Sequence, residues 1–190
     1  MIKTTDRLHG THVDELGHRA ERLTTKIWDT DNLTSTLTRW LRCGKIHYVL
    51  QHQHNCVLDA DDATSLRMAT GEPAVRRTGL LQIGQDKSAL IVATVTALVA
   101  HHRLEPDERI ALDAGNVPLG EILGRDMKRH TQTVDRAHGE DLVGGQQVLR
   151  VAAKATRYGT MLALLTETVY ARPLMHRVPG ELPRRWRPLG

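Results

Sequence analysis

The chain has 190 residues, of which 40% are hydrophobic and 25% are charged, so it can bury a core and is not expected to be disordered. Its formal net charge is +4, but five of the 26 lysines and arginines lie in the last nineteen residues, which leaves the body closer to neutral. Three Trp, three Tyr and no Phe are too few aromatic rings for a base-stacking surface, so we expect no nucleic-acid partner.

The same composition limits the cellular location. Cys43 and Cys56 are the two cysteines of the sequence, which is too few for a disulfide framework. The longest apolar run, 89–100, is interrupted by Thr94 and Thr96 and is too short to cross a membrane. The N-terminus has no apolar signal-peptide region. We therefore expect a cytoplasmic protein without a membrane partner.

Two amphipathic helices are predicted at the start of the chain. In the segment 12–28, apolar side chains recur at spacings of three and four residues, as on one face of a helix. The polar residues 29–32 end this helix and supply capping side chains for a second one. The apolar face of the second helix carries Leu33, Leu37, Trp40 and Leu41.

Strands are predicted for most of the remaining sequence. From Lys45 to about Leu58 the pattern alternates with a period of two, which is typical of a strand, and the segment 59–73 is polar and turn-rich. Further strands are predicted at 75–83, 89–99, 147–157 and 161–170, with the first two joined as an antiparallel hairpin and the last two joined by a turn.

A short helix is predicted after Pro118, with this proline at its first helical position, and the connection 104–115 has some helical character. Helices followed by antiparallel strands, with one helical interruption, indicate an α+β fold rather than a parallel sheet. We predict one domain over residues 1–171. The segment 172–190 is rich in Pro and Arg and is predicted to be an extended C-terminal tail.

Two charged residues stand out on the predicted strands. Alternation places Glu167 on an otherwise apolar face of the last strand, and it places Arg77 on the same face as Leu81 and Ile83. A buried arginine requires a carboxylate, either from Glu167 or from a ligand. A solvent-exposed position fits the pattern about equally well for Glu167 and somewhat better for Arg77.

Two predicted helix starts add potential anion-binding groups. The backbone amides of Leu119 and Gly120, and those around Leu33, have no acceptor within their own helices. Free amides at a helix start attract an anion such as a carboxylate. Every helix has such a start, so this feature has little weight by itself.

Together these segments resemble the chorismate pyruvate-lyase family. The matching motifs are Asp31-Asn32-Leu33-Thr34, Arg77 followed by Leu80-Leu81, Asn116-Val117-Pro118-Leu119-Gly120, and Gly159 leading to Leu164-Leu165-Thr166-Glu167. Their order and approximate spacing match over residues 30–170. Each motif is short, and the resemblance depends on their joint order.

The resemblance implies a chorismate-lyase-like antiparallel sheet with helices that enclose an internal ligand cavity. It also implies release of pyruvate from chorismate to give 4-hydroxybenzoate, without a metal or organic cofactor. In such a site Arg77 and the amides of Leu33, Leu119 and Gly120 would hold the ring carboxylate, and Glu167 would lie at the hydroxyl side of the ring.

We therefore predict a lyase of aromatic acid biosynthesis, with Glu167 and Arg77 as catalytic residues and with Arg77, Leu33, Leu119 and Gly120 as substrate-binding residues. Glu167 would assist proton transfer. The alternative is a non-catalytic, effector-type domain of the same fold that binds a small aromatic acid. The sequence leaves the oligomeric state open.

Other polar clusters have weaker interpretations. Lys154 or Arg150 could bind a second carboxylate, although a solvated strand face fits these two residues better. His52 and His54 alternate on one strand face with Cys56, a pattern that can bind zinc. Because eleven histidines make chance neighbours frequent, and because the family resemblance lies elsewhere, we expect no metal site.

Overall fold

A computed structural model describes residues 5–85, 89–137 and 147–175 of the chain. The helices are α1 (Thr5–Trp28), α2 (Leu33–Leu41), α3 (Ala60–Leu66), α4 (Pro106–Ala114), α5 (Leu119–Ile122) and α6 (Ala171–Met175), with a 3-10 turn at His101–Arg103. The strands are β1 (His47–Val57), β2 (Pro73–Ile83), β3 (Leu90–Val99), β4 (Lys128–Arg136), β5 (Gln147–Arg157) and β6 (Thr160–Tyr170).

The strands form one six-stranded sheet in the order β1-β2-β3-β6-β5-β4, and all neighbouring strands are antiparallel. The predicted hairpins are present as the pairs β2-β3 and β5-β6. The contact between β3 and β6 joins the two hairpins at the centre of the sheet. The predicted α+β fold, with a chorismate-lyase-like antiparallel sheet and helices around a cavity, is confirmed.

Two groups of helices cover one face of the sheet. The apolar stripes of α1 and α2 pack on one half of this face, in a cluster that includes Leu23, Leu37 and Val169. Residues of α4 and α5 pack on the other half, in a cluster that includes Leu112 and Leu165. Leu165 and Val169 both lie on β6 but belong to different clusters. Glu167 lies between them on the same strand face, and therefore where the two clusters meet.

The start of α2 follows from its sequence. The Asn32 side-chain oxygen accepts a hydrogen bond from the Ser35 amide at 2.9 Å, as expected for an N-cap asparagine. The apolar face of the helix then buries Leu33, Leu37 and Leu41. The cap therefore sets Leu33 as the first residue of α2, and the amide of Leu33 has no acceptor within the helix.

Helix α3 lies in the segment 59–73, where the sequence predicted only turns. The Asp59 carboxylate accepts a hydrogen bond from the Asp62 amide at 2.8 Å, which caps the helix. Ala63 and Leu66 are buried against the opposite face of the sheet, in a separate cluster. A helix of two turns has too few apolar positions to show a helical period in the sequence.

Strand β4 was not predicted from the sequence. Along this strand only Arg129 is buried, so no alternation of apolar side chains marks it. Main-chain pairing with β5 holds β4 at the edge of the sheet. Main-chain hydrogen bonds leave no trace in the side-chain pattern, which explains why the strand was missed.

Two boundaries also differ from the sequence-based prediction. Pro118 is the N-cap of α5 and not its first helical residue, because its φ of −60° and ψ of 143° are extended. Part of the predicted tail (172–190) belongs to α6, which buries Pro173 and Leu174. The remainder of that tail, 176–190, lies outside the described residues.

An ion pair connects α4 to the end of β5. Arg157 donates hydrogen bonds to both carboxylate oxygens of Glu108 and to the Leu123 carbonyl oxygen, the last at 2.7 Å. Burial raises the pKa of Glu108, but hydrogen bonds from Arg157 and from the Glu105 amide outweigh it, so the pKa lies below its usual range. The carboxylate therefore stabilises the fold in its ionised form.

We expect Glu108→Gln to lower the free energy of unfolding by about 1–2 kcal/mol at neutral pH, between the values typical of exposed and of buried ion pairs. A carboxyl whose folded pKa is lowered stabilises the protein above its unfolded pKa, and this contribution is lost as the pH falls through the folded pKa. The difference between variant and wild type should therefore shrink below about pH 4. Urea denaturation of both proteins at neutral and acidic pH measures this difference in the free energy of unfolding.

Glu15 provides the control for this prediction. It pairs with Arg19 four residues along α1, and half of its side chain is exposed. Glu15→Gln is therefore expected to change the unfolding free energy by less than about 0.5 kcal/mol. Equal losses for Glu108→Gln and Glu15→Gln would show that the Arg157 pair adds nothing specific to the fold.

Candidate functional site: a cavity with two buried arginines

A cavity of about 610 Å³ lies between the two helix groups and the covered face of the sheet. This volume is within the range of small-molecule sites. The starts of α2 and α5 border it on one side, and the strand residues border it on the other. The residues that the sequence analysis selected all line it, namely Leu33, Arg77, Leu119, Gly120 and Glu167.

Arg77 lies on β2 and is only 2% exposed. Its Nη2 donates hydrogen bonds to the carbonyl oxygens of Val117 at 3.0 Å and Gly115 at 3.4 Å, and its Nε donates to the Tyr48 hydroxyl at 3.2 Å. Its Nη1 is buried and has no hydrogen-bond partner in the described part of the chain. Within the same residues no carboxylate forms an ion pair with Arg77, so its charge meets only neutral oxygens.

Tyr48 holds Arg77 from the neighbouring strand β1. The centroid of its ring lies 5.2 Å from the Arg77 Cζ, which is a cation–π distance. Burial raises the pKa of the Tyr48 hydroxyl, while the charge of Arg77 and the hydrogen bond from it work in the opposite direction. The hydroxyl therefore stays protonated at neutral pH and accepts the Arg77 hydrogen bond as a neutral group.

Gly79 provides the space for this tyrosine. A Cβ atom at position 79 would lie 2.2 Å from Tyr48 Cε2 and 2.6 Å from the Tyr48 hydroxyl oxygen, which is closer than atoms can approach. The ring therefore lies directly over the backbone of β2, two residues from Arg77. A Cβ atom at position 79 would therefore force the Tyr48 ring to shift.

We expect Gly79→Ala to push the Tyr48 ring away and to lower the free energy of unfolding by about 1–3 kcal/mol, as overpacking commonly does. Thermal or urea denaturation measures the loss. Gly44→Ala is the matched control, because a Cβ atom there would meet nothing within 4 Å and no positive φ is involved. If both variants were as stable as the wild type, the close packing of Tyr48 on Gly79 would be refuted.

Glu167 lies on β6, at the boundary between the two helix clusters, and is 4% exposed. Arg129 of β4 donates a hydrogen bond from Nη2 to Glu167 Oε2 at 2.5 Å, and both side chains are almost completely buried. Arg129 Nη1 also donates to the Thr131 hydroxyl at 2.7 Å and the Thr30 carbonyl oxygen at 3.3 Å. Burial raises the pKa of Glu167, and Arg129 opposes this rise.

Arg129 was not predicted as a site residue from the sequence. The sequence left Arg77 to pair with Glu167 or with a ligand, whereas in the structure Glu167 forms its ion pair with Arg129. Lys154 and Arg150, considered for a second carboxylate, do not line the cavity. Buried Ala153 and Ala155 occupy the cavity side of β5, and Lys154 alternates to the other side.

The two helix starts and Arg77 surround the same space. The first amides of a helix have no acceptor within it, and both Leu33 and Leu119 are first residues of their helices. Glu121 is the first residue of α5 whose amide bonds to a main-chain oxygen in the turn, that of Pro118 at 3.0 Å. Leu119 and Gly120, the residues that carry the earlier amides, both line the cavity.

The described ranges contain no group of three or more His, Cys, Asp or Glu side chains arranged to hold a metal ion. His52 and His54 are exposed on the edge strand β1, and the Cys56 thiol donates to the Ala74 carbonyl oxygen at 3.6 Å. None of the helices in the described part of the chain is long and apolar enough to cross a membrane.

No protein-family model and no curated protein matches this chain. Several solved structures have a similar fold. PhnF from Mycobacterium smegmatis aligns with a TM-score of 0.53 and 10% identity over 76% of this chain, which spans 65% of the PhnF chain. A second similar structure is the ligand-binding domain of a protein from Bordetella bronchiseptica that is assigned to the GntR family of transcriptional regulators. It has a TM-score of 0.47 and 14% identity, and the alignment covers 65% of this chain and 85% of that domain. A GntR-family transcriptional regulator from Bacillus cereus has a TM-score of 0.45 and 10% identity, and the alignment covers 66% of this chain and 91% of the regulator chain.

These comparisons contradict the expectation of an enzyme, and specifically of a chorismate pyruvate-lyase that makes 4-hydroxybenzoate. PhnF, the reported structure that aligns with a TM-score above 0.5, is not named as a lyase. The buried charges give a physical reason. Arg77, Arg129 and Glu167 sum to one positive charge, whereas chorismate carries two carboxylates. The carboxylate expected to transfer a proton is instead bound to Arg129.

Proposed function

We propose that this chain is a non-catalytic, effector-type domain that binds a small ring-containing acid through its carboxylate. The observation that carries the proposal is Arg77. Its guanidinium is buried beside a cavity, has one nitrogen without an acceptor, and has no carboxylate partner among the described residues. A buried cation without a counter-ion is unfavourable, and a ligand carboxylate would neutralise it.

The surroundings of Arg77 support an anionic ligand. The planar guanidinium can bind both oxygens of a carboxylate. The free amides at the starts of α2 and α5 border the same cavity and favour negative charge there. We therefore propose that Arg77 anchors the carboxylate and that the amides of Leu33, Leu119 and Gly120 complete its binding site.

The shape of the cavity supports a ring. Arg77 pairs with Ala97 of β3, which pairs with Leu165 of β6, and Glu167 lies two residues further along. With about 4.8 Å between strands and 3.4 Å per residue, the Arg77 and Glu167 backbones are about 12 Å apart. The space between them is lined by apolar side chains, those of Leu81, Val95 and Leu165 among them. A single ring fits between two polar ends separated in this way.

Calorimetric titration with benzoate and benzamide tests the proposal. The two molecules have nearly the same shape, and benzamide lacks the charge. We expect benzoate to bind with one site per chain and benzamide to bind at least about 10-fold more weakly, since a charge-assisted bond to a buried guanidinium is worth more than 1.4 kcal/mol. Absence of benzoate binding, or equal binding of both, would contradict the proposal.

A further inference from the structure

We infer that Glu167 acts as an internal counter-anion of Arg129 and thereby makes the cavity selective for acids with one carboxylate. This inference rests on the proposed acid-binding function, and it narrows the class of ligand. It assigns the Arg77 end of the cavity to the carboxylate and requires that the other end of the ligand be uncharged.

The contact between the two residues shows that the charge of Arg129 is already paired, although its Nε is buried without a hydrogen-bond partner among the described residues. Its Nη2 binds Glu167 Oε2 at 2.5 Å, and its Nη1 binds Thr131 and the Thr30 carbonyl oxygen. The two side chains are 2% and 5% exposed, so water screens their attraction very little. In such surroundings the glutamate neutralises Arg129 without a ligand.

After Glu167 has neutralised Arg129, one buried positive charge among the described residues remains beside the cavity. Arg77, Arg129 and Glu167 are the buried charged residues in the part of the chain that the structure describes, and together they carry one net positive charge. The other charged side chains that border the cavity are exposed and therefore screened by water; these are Asp31, Lys45 and Glu121. One buried positive charge can neutralise one carboxylate.

A second carboxylate at the Arg129 end would be repelled. It would have to lie beside the Glu167 carboxylate or displace it from Arg129, and two carboxylates that share one site do not both ionise easily. An amide, hydroxyl or hydrogen in the same place carries no such penalty. Charge, and not size, is therefore what excludes the second acidic group.

Two ligands of the same shape separate charge from size in the wild-type protein. Terephthalate has a carboxylate at each end of its ring, and 4-carbamoylbenzoate has an uncharged amide in place of one of them. We expect 4-carbamoylbenzoate to bind at least about 10-fold more tightly than terephthalate, a difference of about 1.4 kcal/mol. Equal affinities in calorimetry, or tighter binding of terephthalate, would overturn the inference without any variant.

Two variants then assign the selection to Glu167. Glu167→Gln keeps the shape and removes the negative charge, so the preference for 4-carbamoylbenzoate should fall at least about 10-fold or reverse. The double variant Arg129→Gln with Glu167→Gln removes both charges and restores a single buried cation, so the preference should return. An unchanged ratio in folded Glu167→Gln protein would overturn the role of Glu167.

The outcomes for the two proposals differ. If neither benzoate nor 4-carbamoylbenzoate binds the wild type, acid binding itself is wrong. If both bind and terephthalate binds equally well, acid binding stands and the counter-anion role of Glu167 is wrong. Should Glu167→Gln fail to fold, the wild-type pair of ligands still decides the question.

Discussion

Arg77→Gln is expected to weaken benzoate binding by a factor of about 30 or more, because removal of one partner of a buried charge pair costs about 2–5 kcal/mol. The ligand-free domain should nevertheless remain folded. The guanidinium now donates only to two carbonyl oxygens and the Tyr48 hydroxyl, and its buried charge has no carboxylate partner in the described ranges. The loss of these bonds is partly offset by removal of an uncompensated buried charge.

Arg76→Gln is the matched control. Arg76 is adjacent in sequence but lies on the opposite side of β2, where its side chain is 40% exposed and binds Asp62 at 2.8 Å. We expect its benzoate affinity to stay within about twofold of the wild type, because the partly exposed pair is far from the cavity and worth less than about 1 kcal/mol. If Arg77→Gln bound benzoate as well as Arg76→Gln does, Arg77 would not be the anchor.

Glu167→Gln is expected to lower the free energy of unfolding by about 3–5 kcal/mol at neutral pH, because it leaves Arg129 buried without its counter-ion. An arginine stays protonated at every accessible pH, so the penalty cannot be relieved by titration. Urea denaturation of the ligand-free protein at several pH values measures it.

Arg129→Met removes the other partner and should behave differently. It leaves Glu167 buried and unpaired, but a carboxyl group can take up a proton. Burial raises the pKa of Glu167, and without Arg129 nothing in the pair opposes that rise. When the pKa of a glutamate is higher in the folded than in the unfolded protein, ionisation of that glutamate destabilises the fold. The free energy of unfolding of Arg129→Met should therefore fall as the pH rises above about 4.3, the unfolded pKa, and should recover in acid.

The double variant Arg129→Met with Glu167→Leu, measured beside the single variant Glu167→Leu, completes the cycle. It replaces a buried ion pair by apolar side chains, a change that is often neutral or stabilising. We expect it to be more stable than either single variant at neutral pH. Additive losses in the double variant would show that the two residues do not interact, contrary to their 2.5 Å contact.

Much of the fold follows from local patterns in the sequence. The three-and-four spacing of apolar residues in α1 and the period of two in the paired strands predict these elements, because one face of each must be buried. Alternation also placed Arg77 and Glu167 on the inward side of their strands. For both residues the structure decided between a buried and an exposed position.

The resemblance of short motifs to a lyase family was a good guide to the fold and a poor one to activity. Leu33, Arg77, Leu119 and Glu167, which belong to these motifs, all line the cavity. Which ligands a cavity binds depends on all the charged residues that line it. The charge that changes the balance comes from Arg129, which lies in none of these motifs.

By itself the sequence determined the α+β class, the strands of the two hairpins and which side chains share a strand face, because these depend on neighbours along the chain. Only the tertiary structure decided which charges meet. Arg129 reaches Glu167 from β4, an edge strand that main-chain pairing holds and no apolar pattern marks. Partners 38 residues apart are chosen by the order of strands in the sheet, and this order leaves Arg77 as the buried cation without a counter-ion among the described residues.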